Sequence, residues 1–93
     1  MHFLYIIYSQ NIDKFYIGET TDVNHRIELH NRHAFKNAYS KAADDWILKL
    51  KFQCENRKNA VFLEKFIKRM KSRKFINKVI EKPEILHDVL NKK

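Results

Sequence analysis

Five side chains in this chain carry the makings of a reaction centre: Tyr5, Tyr16, Arg26, His30 and Glu64. A guanidinium can hold an oxyanion, a carboxylate can hold a hard divalent metal, and phenols and an imidazole can move protons. Together they form an inventory for handling phosphate. Each also has a plainer account. Tyr5 and Tyr16 lie in two aromatic runs, HFLYIIYS and KFYIGET, and aromatic pairs are common in hairpins. His30 on its own reads as a core or rim histidine bonded to backbone, and Arg26 as a long side chain covering apolar surface. Glu64 can pair with Lys68 one helical turn on, worth only a few tenths of a kcal/mol.

Spacing argues for taking the five together. In TTDVNHRIELHN, with Val23 at zero and about 100° per residue, Ile27 lies near +40°, His30 near −20° and Arg26 near −60°. Arg26 and His30 thus share the face that must turn inward, where ions need partners. In RKNAVFLEKFIKRMKS, with Ala60 at zero, Glu64 lies at about +40° and Lys71 at about +20°, on the border of the buried stripe. The basic residues crowd there: Lys49 to Lys82 holds twelve Lys or Arg against Glu55, Glu64 and Glu81. Glu64 is the single acid of its helix. The chain's only glycine, Gly18, follows Tyr16 in the second aromatic run. A glycine beside paired tyrosines leaves a gap where a backbone or ligand can come close.

The elements that must position these groups read as follows. Residues 3–9 and 14–19 are strands, joined by the turn residues QNID. Thr21 or Asp22 caps a helix carrying Val23, Ile27 and His30, and residues 31–44 read as irregular. DWILKLKFQ alternates Trp46, Leu48, Leu50 and Phe52 against Ile47, Lys49 and Lys51, a third strand over 45–53. Arg57 to Ser72 is a helix with a stripe of Ala60, Leu63, Phe66, Ile67 and Met70. A short helix over 74–80 follows, then a terminal one begun by Pro83. The order β-β-α-β-α-α(-α) is an α+β domain with a small, mostly antiparallel three-stranded sheet flanked by helices. Folding the hairpin sets Tyr5 opposite the Tyr16–Gly18 stretch.

Composition bounds the partners. At 93 residues the chain is one domain, residues 1–93. Nineteen Lys and Arg against eleven acids give +8, a field that attracts polyanions. The lone Cys54 excludes an internal disulfide and a multi-cysteine zinc site, and it reads as a small hydrophobe. No run is long enough for a membrane span or suited to a signal peptide. A reduced, cytoplasmic setting is the simplest expectation.

These residues resemble the GIY-YIG nuclease superfamily, closest to its small single-domain bacterial members and to the N-terminal nuclease domain of the excision-repair C subunit. FLY at 3–5 stands for the first triplet and YIG at 16–18 for the second. TTDVNHRIELHN is similar to the helix carrying the family's arginine, at Arg26, with His30 one turn on, and NAVFLEKFIK to the segment bearing its glutamate, at Glu64. The first triplet departs from GIY, and Asn77 is an approximate counterpart of a late asparagine.

The resemblance implies a metal-dependent endonuclease that hydrolyses DNA phosphodiester bonds, in repair or processing. Glu64 would hold Mg²⁺ or Mn²⁺, Tyr5 would be the general base, and Arg26 would stabilise the phosphorane. Tyr16 and His30 would orient the water or Tyr5. Gly18, Lys68, Lys71 and Asn77 would face the substrate, with Gly18 keeping the cleft wall low. On that reading Gly18→Val leaves the fold largely intact and lowers activity. The alternative is a basic nucleic-acid-binding module that grips without cutting. Ninety-three residues leave no room for a recognition domain, so DNA structure or a targeting partner would supply specificity.

Overall fold

The computed structural model describes residues 1–32 and 43–92. Strands β1 (His2–Ser9), β2 (Lys14–Thr20) and β3 (Ile47–Cys54) form one antiparallel sheet in the order β2-β1-β3. Helices are α1 (Val23–Asn31), α2 (Arg57–Met70), α3 (Arg73–Glu81) and α4 (Glu84–Asn91). The expected α+β architecture and element order are present.

The two sheet faces do different work because β-strand side chains alternate. Leu4 and Ile6 of β1, Ile17 of β2 and Leu50 and Phe52 of β3 bury one face against Ala60, Leu63 and Ile67 of α2, with Val79 and Leu86 behind. Tyr5 and Ile7 turn to the other face, where they pack with Val23 of α1, Ala43 and Trp46. The first face is an ordinary apolar core. The second is built from rings, and the candidate chemistry lies there.

The third strand departs from the sequence expectation. Ile6 pairs with Leu50 but Ile7 pairs with Leu48, so Lys49 is an extra residue on β3. Such a bulge inverts the alternation beyond it. Leu48 and Trp46 therefore leave the face occupied by Leu50 and Phe52. Leu48 is 40% exposed, while Trp46, just outside the strand, is buried in the ring cluster.

Helix boundaries follow local chemistry. The Asp22 carboxylate accepts from His25 N at 3.1 Å and starts α1. The Asn56 side chain accepts from Asn59 N at 2.9 Å and starts α2. That helix ends at Met70 rather than Ser72, because Lys71 turns left-handed at φ 49°, ψ 38° and Ser72 caps α3 by accepting from Phe75 N at 3.1 Å. Pro83 stands just ahead of α4. Most of the stretch read as irregular, residues 33–42, lies outside the described residues, and its first residue, Asn31, is helical.

Candidate active site

Tyr5 pairs with Gly18 across the hairpin, and Ile7 pairs with Tyr16. The register brings the two phenols to one face, with ring centroids 6.4 Å apart. Helix α1 delivers His30 between them: its Nε2 is 2.8 Å from Tyr5 Oη, and its ring centroid is 4.7 Å from that of Tyr16. Trp46 completes the cluster, 6.3 Å from Tyr16 and 6.5 Å from His30. The face on which sequence spacing set Val23 and His30 is thus the buried one.

Gly18 is required for a different reason from the one its sequence suggested. It does not have positive φ; among the described residues the left-handed positions are Asp13 and Lys71, neither of them glycine. What Gly18 supplies is room. A Cβ there would sit 2.5 Å from Tyr5 Oη, 2.7 Å from Cζ and 2.9 Å from Cε1. The low wall is filled by the Tyr5 phenol itself. Gly18→Val is therefore expected to displace the Tyr5 ring and lengthen its bond to His30, instead of leaving the fold intact. Overpacking of this kind costs about 1–3 kcal/mol, a drop of roughly 4–24 °C in Tm for a domain of this size. A thermal melt checks it; an unchanged Tm would mean that Tyr5 has another resting place.

The protonation states follow from burial. Tyr5 and His30 are each 1% exposed. Burial raises the Tyr5 pKa above the ordinary phenol range, with Tyr16 and Glu64 adding to the rise and Arg26 opposing it. Burial first, and then the Arg26 cation, push His30 down to about 4. At neutral pH the pair is therefore an uncharged phenol bonded to an uncharged imidazole. With the ring proton on Nδ1, Nε2 accepts the Tyr5 O–H.

A histidine whose folded pKa lies below its unfolded value resists protonation when folded. Between pH 6.5 and about 4 the unfolded chain takes up the proton first, so stability is lost as pH falls through that window. The loss approaches about 3 kcal/mol. Urea titrations at pH 7 and pH 4.5 test this, with His30→Gln expected to flatten the difference.

Glu64 and Lys68 approach from α2 at the β2 edge of the sheet. Glu64 is close enough for its charge to raise the Tyr5 pKa. Its Oε2 accepts from Lys68 Nζ at 2.7 Å, and the same ammonium lies 5.6 Å from the Tyr16 ring centre. The plain i,i+4 pair is present, then, but set against the site. Glu64 Oε1 makes no hydrogen bond among the described residues. Glu19, also near Tyr5, is engaged by His2 and Arg57.

No group of three or more His, Cys, Asp or Glu suited to a metal occurs among the described residues. A single hard carboxylate with one free oxygen still fits Mg²⁺, which keeps most of its waters and is commonly held by one or two carboxylates plus substrate phosphate. Of the other expected residues, Lys68 and Lys71 line a groove beside Tyr16. Asn77 is set apart from the Tyr5–His30 pair, in a shallow recess with Tyr8, Phe15, Lys49 and Arg73.

A family model for the GIY-YIG catalytic domain matches residues 1–78. The chain belongs to the GIY-YIG family. That family consists of nucleases that generally depend on a divalent metal and act on DNA. No curated protein and no solved structure matches it. Among the described residues no helix is long and apolar enough to cross a membrane.

One positioning device of this GIY-YIG domain has no signal in the sequence. Asn31 Oδ1 accepts from Trp46 N at 2.8 Å while its Nδ2 donates to Trp46 O at 3.1 Å. Nearby, Ser9 Oγ donates to Asp45 Oδ1 at 2.5 Å, and Asn11 N donates to Asp45 Oδ2 at 3.0 Å. These bonds fasten residues 45 and 46 to α1 and to the hairpin end, which holds Trp46 against Tyr16 and His30. Asn31→Ala removes both amide bonds and is expected to cost about 1–3 kcal/mol, read as a Tm drop with reduced Trp fluorescence anisotropy.

Proposed function

We propose that this protein is a metal-dependent endonuclease that hydrolyses phosphodiester bonds in DNA. The observation that carries this reading is the Tyr5–His30 bond of 2.8 Å, lying over Gly18 and within the field of Glu64. Family membership supplies the chemistry that such an arrangement serves.

Tyr5 is the general base for the attacking water, and His30 stands behind it as acceptor for the phenolic proton. Alone, the transfer runs uphill, since burial favours the neutral forms of both groups. Arg26 works against that penalty at Tyr5, since its cation favours the phenolate and lowers the Tyr5 pKa. Arg26 then stabilises charge on the phosphorane, for which its delocalised fork suits better than an ammonium. Tyr16, half-buried between Tyr5 and solvent-facing Lys68, orients the water. Glu64 would hold Mg²⁺ or Mn²⁺, and the metal would supply positive charge to offset that of the phosphate. Lys68, Lys71 and Asn77 contact the DNA strand. We place the activity in DNA repair or processing in the cytoplasm, with a protein partner directing it to its sites.

The deciding experiment is cleavage of labelled supercoiled, branched and single-stranded DNA with Mg²⁺ or Mn²⁺, run beside EDTA. Metal-dependent cutting is the expected result. Binding should weaken steeply with salt, as phosphate contacts release counterions. Salt-sensitive binding without cutting on any substrate would assign the domain to a binding module.

A further inference from the structure

A groove of about 300 Å³ runs beside the candidate active site, between edge strand β2 and the α2–α3 junction. Its buried wall is apolar: Ile17 and Ile67, with half-buried Phe15 and Ile76 beside them. Its exposed lining is cationic, Lys68 and Lys71, and Tyr16 belongs both to the groove and to the Tyr5–His30 cluster. The volume is at the lower end for pockets that enclose small organic groups. An apolar slot with two ammonium groups at its mouth suits a flat apolar body carrying anionic attachments.

Lys71 adds a separate sign. It holds a left-handed backbone at φ 49°, where a Cβ is disfavoured and glycine or asparagine costs less. It makes no ion pair or hydrogen bond through its ammonium among the described residues. The conformation itself is that of a helix C-cap; the side chain that it sets along the groove is what bears on a ligand.

We propose that this groove takes one unstacked nucleotide of the DNA strand next to the scissile phosphate, its base against Phe15 and Ile76 and its phosphate on Lys71. The proposal rests on the nuclease reading and names its substrate class. A base inside a duplex is stacked and paired and cannot enter a slot, so the preferred DNA is single-stranded or locally melted beside the cut. The path continues past Phe15 into the recess formed with Tyr8, Lys49, Arg73 and Asn77. There the Tyr8 and Phe15 rings lie 4.8 Å apart, each with a cation against it: Lys49 is 5.8 Å from the Tyr8 centre and Arg73 5.4 Å from the Phe15 centre.

The test is fluorescence anisotropy in EDTA, so that nothing is cut, with the whole chain and three probes of equal phosphate number. These are a single-stranded oligonucleotide, the same strand carrying abasic sites, and a duplex. Stacking on protein rings and apolar walls predicts that the intact strand binds about 5- to 100-fold more tightly than the abasic one. It should also outbind the duplex. Lys71→Asn, chosen because asparagine tolerates the left-handed backbone, should weaken single-strand binding several-fold and reduce the salt slope by about 0.7. Its Tm should be unchanged or higher.

Equal affinity for intact and abasic strands would overturn the proposal, as would Lys71→Asn leaving affinity and salt slope untouched. A protein dimer that competes with the oligonucleotide would assign the groove to a second copy and overturn it too. Metal-dependent cutting that persists with no base discrimination would remove the groove and leave the nuclease. Base discrimination without any cutting would support the groove and remove the nuclease.

Discussion

Replacing Glu64 with alanine is expected to lower metal-dependent cleavage about a thousandfold or more while leaving the protein folded and able to bind DNA. A metal positioned on the phosphate supplies several kcal/mol of charge stabilisation, and about 4 kcal/mol corresponds to three powers of ten in rate. The structural cost should be small. Glu64 makes a single ion pair, to Lys68, which is 48% exposed, and pairs of this kind contribute about 0.3–0.5 kcal/mol. DNA affinity should hold or rise slightly, since an acid beside the phosphate path is removed and Lys68 is released. Glu64→Gln keeps the side chain's volume and should lose as much activity. Cleavage time courses, anisotropy binding and thermal melts on one preparation check all three arms. A variant that cuts normally would sink the metal assignment, and one that unfolds would return Glu64 to a structural role.

Tyr5→Phe should have the second largest effect, a loss of about 10²- to 10⁴-fold in cleavage. The substitution keeps the ring over Gly18 and removes only the hydroxyl bonded to His30. It therefore carries a stability penalty as well. His30 Nε2 loses its Tyr5 partner in a buried setting, which costs about 1–3 kcal/mol. Tyr16→Phe is the informative companion. Tyr16 is half-buried where Tyr5 is 1% exposed, and its side-chain contacts among the described residues are ring contacts. It should cost only about tenfold in rate if it orients the water and Tyr5 is the base. The opposite ranking, with Tyr16→Phe the more damaging, would make Tyr16 the group that meets water and Tyr5 the buried prop behind it. Single-turnover rates with saturating enzyme separate these from binding effects.

These residues were within reach of the sequence for a simple reason. Strand alternation and helical spacing are local properties, and they already set Tyr5 opposite the Tyr16–Gly18 stretch and turned His30 inward. The observed pairing of Tyr5 with Gly18 and the buried His30 follow from periods of two and of 3.6. Element order followed in the same way, since each hydrophobic stripe and each cap is written in adjacent residues.

Other features depended on atoms distant in the chain. The Lys49 bulge is set by the pairing between β1 and β3, so no reading of β3 alone could move Leu48 and Trp46 to the opposite face. Asn31 holds Trp46 across fifteen positions, and nothing in either residue's neighbourhood announces it. Gly18 shows the limit most clearly. Its place beside Tyr16 was plain from sequence, but its purpose was set by a phenol from the neighbouring strand that lies where its Cβ would be. By itself the sequence determined the class of fold, the basic charge and the identities of the groups able to do chemistry, because those are properties of composition and period. Only the tertiary structure decided which groups touch, which are dry and what their proton affinities become. Distance and desolvation belong to the packed molecule and to no segment of the chain.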